Sequence, residues 1–502
     1  MRRTLPRLGI LIVLLFSFLG FLAMGYHPGA EDDAVYLSAV KADLNPALFP
    51  HDAAFFKLQM HASVFDSWMA AFVHSTGFSV AWSEFLWQFV SLFLILWAAW
   101  TIICQLFWET RARIGGIALL AAMFTLPVAG TALYIADQYL HPRNLATALI
   151  LFAVSRILTG KRWQAVPLLS VALVLHPIMA ALGISFCFFL CVITFEPLQE
   201  QIRMWREREV PETEAVATPV AAILPFGWLF SPMSPTWRDA IGSRHSFQLY
   251  NWAWYEWLGA VAPLLIFWYV SRFARRQGNI LLARFALAVL FYGVFQQIVA
   301  MIILGPHMPA GLSALEPMRF LQLVYVFMTL LGGAYLGKCL LKSSVWRWAV
   351  FLVVANGGMF LAQRELFAST EHIELPGAGC SNAWLQAFAW IRNNTPQDAY
   401  FALDPNYMAA PGEDYHSFRA VAERSVLADA IKDTSVISKV PELGTVWQRQ
   451  VQARTGWNRF ELADFERLKL EFGVNWVIVS YSQPTGLSCP WHNDQLAVCR
   501  VP

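Results

Sequence analysis

Three consecutive acids, Glu31, Asp32 and Asp33, crowd enough negative charge to raise at least one carboxyl pKa toward general-base duty near neutral pH. Adjacent helical residues point about 100° apart, so Asp32 and Asp33 are not expected to share one role. The competing reading is structural: one of the two caps the helix that follows, where acids also favour the helix dipole. Which acid would act as base stays open. In the same segment His51-Asp52 follow Asn45-Pro46 and Pro50. A proline-rich turn holds such a pair cheaply, either as a plain turn with an Asp cap or as groups that bind a metal or position an acceptor.

A third constellation is Asp137, His141, Pro142 and Arg143. Asp137 and His141 are four apart and would share a face if helical. Arg143 either anchors to headgroups or binds a phosphate. Asp137 and Glu31 could ligate a divalent cation (Mg2+ or Mn2+) only if folding brings them together. The fourth is Glu316-Pro317-Met318-Arg319, whose arginine serves a lipid phosphate or a salt bridge to Glu316 or the first acids. His176-Pro177 reads as a satisfied interfacial histidine at a helix end. Trp252, Trp254, Tyr255 and Trp257 read as part of an interfacial aromatic belt.

The elements that must position these groups are membrane helices. Of 502 residues, 57% are hydrophobic and 14% charged, where a soluble chain carries about a quarter charged. Apolar runs of spanning length occur at 8–26, 85–107, 115–135, 143–159, 163–176, 178–195, 217–230, 254–271, 280–304, 318–337 and 346–363, with 163–176 and 217–230 short for the purpose. With the N-terminus inside, Arg2, Arg3 and Arg7 are joined on the inner side by Arg111, Arg113, Lys161, Arg162, Arg203, Arg206, Arg208, Arg272, Arg275, Arg276, Lys338, Lys342 and Arg347. The outer connections hold only Lys41, Lys57, Arg143, Arg238, Arg244 and Arg319. Every inner connection outweighs its neighbours, as the positive-inside rule requires. The basic residues are dispersed and the net charge is only +2, which gives no basis for a nucleic-acid partner.

This predicts an α-helical polytopic membrane protein with about eleven transmembrane helices in residues 1–365. It also predicts a large first outer loop over 27–84, a solvated inner linker over 196–216, and a small α/β domain over 366–502 on the outer side. In that domain 382–393, 436–453 and 461–471 suggest helices, and Ala399–Leu403, Val474–Ser480 and Leu496–Val501 suggest strands. Gly473 suits a helix C-cap. Cys489 and Cys499 bracket a terminal hairpin on the oxidising side, where a disulfide is plausible and Cys380 could compete. Cys187 and Cys191 read as small packing residues.

An inside N-terminus, one helix, a long outer loop opening with acids, many further helices and a terminal outer α/β domain resemble the GT-C glycosyltransferase superfamily. The segments HPGAEDDAVYLSAVKADLNPALFPHD, DQYLHPR and WIRNNTPQDAYFALDP resemble a bacterial branch of it. The resemblance implies sugar transfer from a polyprenyl-phosphate-linked donor to a glycan, lipid or protein acceptor at the outer face of the inner (plasma) membrane. It implies Asp32 or Asp33 as base, Asp137 as the second acidic motif, and Arg319 on the donor phosphate, with inversion at the anomeric centre. The WWDYG signature of oligosaccharyltransferases is missing, which argues against that activity. Two rivals remain: a transporter or flippase, disfavoured by the lack of an inverted repeat and by how few ionisable groups lie inside the spans, where Arg156 and Arg284 sit near inner helix ends and can snorkel, and a non-catalytic envelope scaffold.

Overall fold

The computed structural model describes residues 6–194, 234–242, 244, 248–305, 310–483 and 486–502. The expected span 217–230, the linker 196–216 and Arg2, Arg3, Arg203, Arg206 and Arg208 lie outside them. The chain opens with helix α1 (Pro6–Met24), followed by α2 (Asp33–Leu44), α3 (Ala54–Met60) and α4 (Phe65–Thr76), all short and all belonging to the first loop. Next come α5 (Val80–Leu106) and α6 (Thr110–Ala122), a hairpin of β1 (Pro127–Val128) and β2 (Leu133–Tyr134), then α7 (Pro142–Leu158), α8 (Ala165–Leu175) and α9 (Pro177–Thr194). After α10 (Pro235–Gly242) the helical part closes with α11 (Trp254–Arg276), α12 (Ile280–Ile303), α13 (Leu321–Tyr335) and α14 (Val345–Leu366).

Seven helical stretches among the described residues are long and apolar enough to cross a membrane: α1, α5, α9, α11, α12, the run Gly311–Leu341 that contains α13, and α14. The other expected spans correspond to the shorter helices α6, α7 and α8. One expectation is corrected in kind. The segment 115–135 is not one helix: it stops at Ala122 and turns into the β1–β2 hairpin. Pro127 bars one continuous helix through the segment, because it lacks an N–H and keeps Leu126 out of the helical region. The remaining helix, α6, packs along α13 so closely that a Cβ on Gly115 would collide with the Gly333 carbonyl oxygen. Small residues permit such backbone approach where apolar lipid offers no hydrophobic drive between helices.

The C-terminal part is a five-stranded sheet in the order β4-β3-β5-β7-β6. It is built from β3 (Tyr400–Ala402), β4 (Ser425–Val426), β5 (Trp476–Ser480), β6 (Ser488–His492) and β7 (Leu496–Arg500), with helices α15 (Ala383–Asn394), α16 (Phe418–Ala422), α17 (Asp433–Lys439), α18 (Gly444–Gln452) and α19 (Leu462–Phe472). One face of the sheet sets Phe401, Trp476, Ile478 and Val498 against Phe388 and Ile391 of α15. The other sets Tyr400, Val477, Val479 and Cys499 against Phe465 and Leu468 of α19. A sheet covered on both faces accounts for the unbroken apolar run in β5. The expected helix 436–453 is interrupted at Pro441, which divides α17 from α18. Gly473 is the left-handed C-cap of α19, and Cys489 and Cys499 form the disulfide while Cys380 stays free.

The first loop is threaded between the two parts. Tyr26 pairs with Ile373 and Ala30 with His416 as short β-bridges. The Glu31 N–H donates to the Tyr415 carbonyl at 3.0 Å, and the Ser417 N–H to that of Gly29 at 2.8 Å. Beneath them Glu374 Oε1 lies 2.7 Å from His27 Nδ1 and 3.1 Å from His416 Nε2. Burial alone would raise the Glu374 pKa, but the two imidazoles outweigh it and hold it at about 2. Burial would lower His416, but Glu374 and Glu413 hold it well above its usual value. The depressed carboxylate contributes stability that is full above its unfolded pKa of about 4.3 and lost as pH falls through about 2. The raised imidazole contributes stability that is full below its unfolded pKa of about 6.5 and lost as pH rises through its folded value. Thermal melts of wild type should therefore show a broad stability maximum at mildly acidic pH, which Glu374→Gln flattens. An unchanged pH profile in that variant would contradict this account of the clamp.

Candidate active site

Asp32 sits at the start of α2, its side chain 30% exposed. It makes no side-chain capping bond, so the capping role does not hold for it. Instead its Oδ1 lies 3.1 Å from Nζ of Lys432, which also meets Glu31 Oε2 at 2.6 Å. Its Oδ2 faces His141 Nε2 at 3.9 Å, and its N–H donates to the Tyr139 hydroxyl at 3.2 Å. Burial pushes the Asp32 pKa up, but Lys432 first, then His141, Arg143 and Arg319, hold it well below the usual carboxylate range.

Asp33 points away from this group, as the helical angle predicts. It is buried, accepts the Gly29 N–H at 2.6 Å and faces Glu84. Burial, with the Asp32 charge adding to it, pushes its pKa up to about 6. The two acids thus have separate surroundings: one partly open among cations, one enclosed beside another carboxyl.

Asp137 and Arg143 form a buried bidentate pair, Nε to Oδ2 at 3.2 Å and Nη2 to Oδ1 at 2.5 Å. Asp137 lies in an irregular segment that precedes α7, so the expected helical alignment with His141 does not occur. His141 is instead the N-cap of α7. Its Nδ1 accepts the Arg143 N–H at 2.9 Å, which places the ring proton on Nε2, toward Asp32. Burial, then the Arg143 charge, holds His141 well below its usual pKa. His176 packs beside it with ring centroids 5.8 Å apart. The remaining Arg143 nitrogen, Nη1, is buried without a hydrogen-bond partner among the described residues.

Arg319 is paired with Glu316, as one of the weighed readings has it, and Glu316 also receives Lys439 at 3.4 Å. Both Glu31 and Glu316 adopt positive φ, 53° and 49°. Non-glycine residues hold this conformation at a cost of about 1–3 kcal/mol, and such strain clusters at functional sites. Lys432 directly precedes α17 and Lys439 is its last residue, so this short helix lays one ammonium on the Glu31–Asp32 pair and another on Glu316.

Two cavities meet α17. One of about 800 Å³ is lined by Glu31, the β1–β2 hairpin, Arg244, Tyr255 and Thr434. The other, about 400 Å³, is lined by apolar side chains such as Met60, Leu175, Ile178 and Leu315 and by the polar Tyr36, Gln59, His61, Ser63, His176 and Lys439.

The fold therefore brings Glu31, Asp32, Asp137, His141, Arg143 and Arg319 together. His51 and Asp52 are engaged elsewhere: the His51 ring stacks on Tyr400 at 4.5 Å, and Asp52 Oδ2 meets Arg419 Nε at 2.5 Å. No group of three or more His, Cys, Asp or Glu among the described residues is placed to hold a metal ion. The two residues expected to ligate one do not fit it, since Arg143 occupies Asp137 and Lys432 occupies Glu31. Sequence reasoning did not find Lys432, Lys439 or Tyr139, and took His176 for a bland interfacial residue. Tyr139 lies inside DQYLHPR but carries no chemical mark of its own there, and no local motif marks Lys432 or Lys439, although the His-Pro at 176–177 resembles the His-Pro at 141–142.

No family model matches the chain, and no curated protein matches it. Among solved structures it is similar to the archaeal oligosaccharyltransferase AglB from Archaeoglobus fulgidus in complex with an inhibitory peptide and a dolichol-phosphate. There the identity is 13% and the TM-score 0.43, over 94% of this chain and 69% of that one. It is also similar to the oligosaccharyltransferase of that organism in complex with Zn and sulfate, at 13% and 0.43 over 94% and 68%. The apo form gives 13% and 0.34 over 95% and 70%. Superposition this loose carries no argument about activity, and the functional reading rests on the site itself.

Proposed function

We propose that this protein is a GT-C-type membrane glycosyltransferase that moves a sugar from a polyprenyl-phosphate-linked donor to an acceptor at the outer face of the membrane. The observation that carries this reading is the buried Arg143 guanidinium with one nitrogen left unpaired, grouped with Arg319 and Lys439 around the partly open carboxylate of Asp32. Cations with spare donor capacity beside a carboxylate suit a phosphate leaving group beside a base.

In this reading the smaller cavity takes the first isoprenoid units, with the donor phosphate beside its lining residues His176 and Lys439. The larger cavity takes the acceptor. Asp32 accepts the acceptor hydroxyl proton as that oxygen bonds the anomeric carbon. The bond from that carbon to the phosphate oxygen breaks, its electron pair stays on the phosphate, and the cations stabilise it. One such displacement inverts the anomeric centre. Phosphate binding would also draw the cations' charge away from Asp32, raising its basicity when the donor is in place. Asp33, enclosed beside Glu84, shapes the loop and does not touch substrate.

The topology belongs to the same proposal: N-terminus cytoplasmic, about eleven spans over 1–365, and residues 366–502 periplasmic or extracytoplasmic. The Cys489–Cys499 disulfide supports that side, because such bonds persist in oxidising compartments.

Lys439→Met tests the donor site. A hydrogen bond to a charged group is worth about 1.5–3 kcal/mol, so KM for the lipid donor should rise roughly 10- to 100-fold. The KM for the acceptor should stay within about threefold. Transfer assays in proteoliposomes with a radiolabelled polyprenyl-phosphate sugar give both constants, and an unchanged donor KM would remove Lys439 from the phosphate site.

A further inference from the structure

The carboxylates of Glu31 and Asp32 converge on one point, and that point holds an ammonium group. Lys432 Nζ sits 2.6 Å from one and 3.1 Å from the other, with only 12% of its side chain exposed. It is placed there by the C-terminal domain. Its own N–H donates to Asp429 Oδ1 at 2.5 Å, and the next residue, Asp433, is locked by two bonds from Arg419 at 2.8 and 3.0 Å. We propose that Lys432 is the built-in counter-ion of the Glu31–Asp32 pair, positioning Asp32 and taking the place that a divalent cation would need, so that sugar transfer requires no such cation.

A cation bridging these two acids would need both oxygens within about 2.0–2.6 Å. The ammonium stands in that space and three donors of its own satisfy the same lone pairs. His141, the nearest candidate for a third ligand, is turned with its Nε2 proton toward Asp32 and so offers no lone pair there. The arrangement also explains why the first-loop acids and the C-terminal domain must be docked together for the site to exist.

The other groups facing Asp32 keep this test specific. On its own segment is Glu31, and on α2 Tyr36, while Asp33 is next in the chain but turned toward Gly29 and Glu84. Tyr139, Asp137, His141 and Arg143 face it from the segment leading into α7. Glu316 and Arg319 face it from before α13, and Lys439 from α17. Of these cations, only Lys432 makes an ion pair with Asp32 within 3.5 Å among the described residues.

The proposal rests on the sugar-transfer reading for its kinetic arm but not for its metal arm. Purified full-length protein is titrated with Mn2+ and followed by electron paramagnetic resonance. Wild type should take up no manganese at stoichiometric concentration, and saturable stoichiometric uptake would overturn the proposal. This arm needs no variant to fold and no activity to be present. In the kinetic arm, wild-type transfer should be unchanged by exhaustive chelation. Lys432→Met should lower kcat at least tenfold with the donor KM within about threefold. Its pH–rate profile should gain an acid limb that wild type lacks, because Asp32 regains a more ordinary pKa. Lys432→Arg should restore the wild-type profile in large part. Loss of wild-type transfer on chelation with recovery on adding Mg2+ or Mn2+, or a Lys432→Met profile with no new acid limb, would overturn it. A wild type that transfers no sugar but still ignores manganese defeats the functional reading alone.

Discussion

Asp32→Asn should leave an inserted, folded protein whose sugar transfer falls by about 10²–10⁴-fold, the range set by loss of a positioned general base. The amide keeps the shape of the side chain and can still accept from Lys432, so the loss reads out proton acceptance and not packing. Asp33→Asn should behave differently. That carboxyl is buried against Gly29 and Glu84, and it is pushed up toward neutrality already, so the neutral amide is a mild change. Transfer in Asp33→Asn should stay within about tenfold of wild type. The wild-type pH profile adds a sign. Because the cations hold Asp32 well below the ordinary range, the free enzyme keeps it ionised throughout mildly acidic pH. The kcat/KM profile should therefore show no acid limb from Asp32 down to about pH 5. Equal losses in both Asn variants, or a greater loss at Asp33, would reassign the base.

Arg419→Met should be the most destabilising single change at the junction between the parts. Its guanidinium is buried and holds Asp52 of the first loop at 2.5 Å and Asp433 of α17 at 2.8 and 3.0 Å. Removing it leaves two buried carboxylates without their cation, and breaking a buried pair in this way costs about 3–5 kcal/mol. For a domain of this size the apparent melting temperature should drop on the order of 10 °C. Limited proteolysis should release a C-terminal fragment sooner than in wild type. The seat of α17 is lost with it, so Lys432 and Lys439 should leave the site and transfer should fall even though Arg419 touches no substrate. Survival of both stability and transfer in Arg419→Met would show that the docking does not depend on this network.

These residues also show what the sequence could and could not disclose. Short motifs made Asp32, Asp137, His141, Arg143 and Arg319 visible, because acids, His-Pro and outward arginines are unusual beside apolar helices. The 100° step between neighbours foretold that Asp32 and Asp33 would part. Lys432 and Lys439 stayed hidden because they belong to an ordinary-looking stretch, KDTSVISK, some 400 residues from the acid they face. Only tertiary contacts bring them in, the pairing of 26–31 with 372–374 and 415–417 together with the Asp52–Arg419–Asp433 network. His51-Asp52 misled for a related reason. A His-Asp turn has the same composition whether it greets an acceptor or, as here, a buried arginine from another part of the chain. Of the sheet, β3, β5 and β7 were legible from apolar runs. β4 is two residues long and β6 is largely exposed and contains Pro490, so neither carries a pattern that periodicity can find. The hairpin within 115–135 was masked by continuous hydrophobicity, against which Pro127 is a weak signal.

A cryo-electron microscopy structure of the wild-type protein in lipid nanodiscs with added polyprenyl phosphate tests the assignment most directly. The lipid chain should lie along Met60, Leu175 and Ile178, with phosphate oxygens within about 3.2 Å of the open Arg143 nitrogen and of Lys439 Nζ, and with Asp32 bordering the same space. Phosphate density seated away from those cations, or an Asp32 side chain facing bulk solvent with no room for a sugar beside it, would contradict the account.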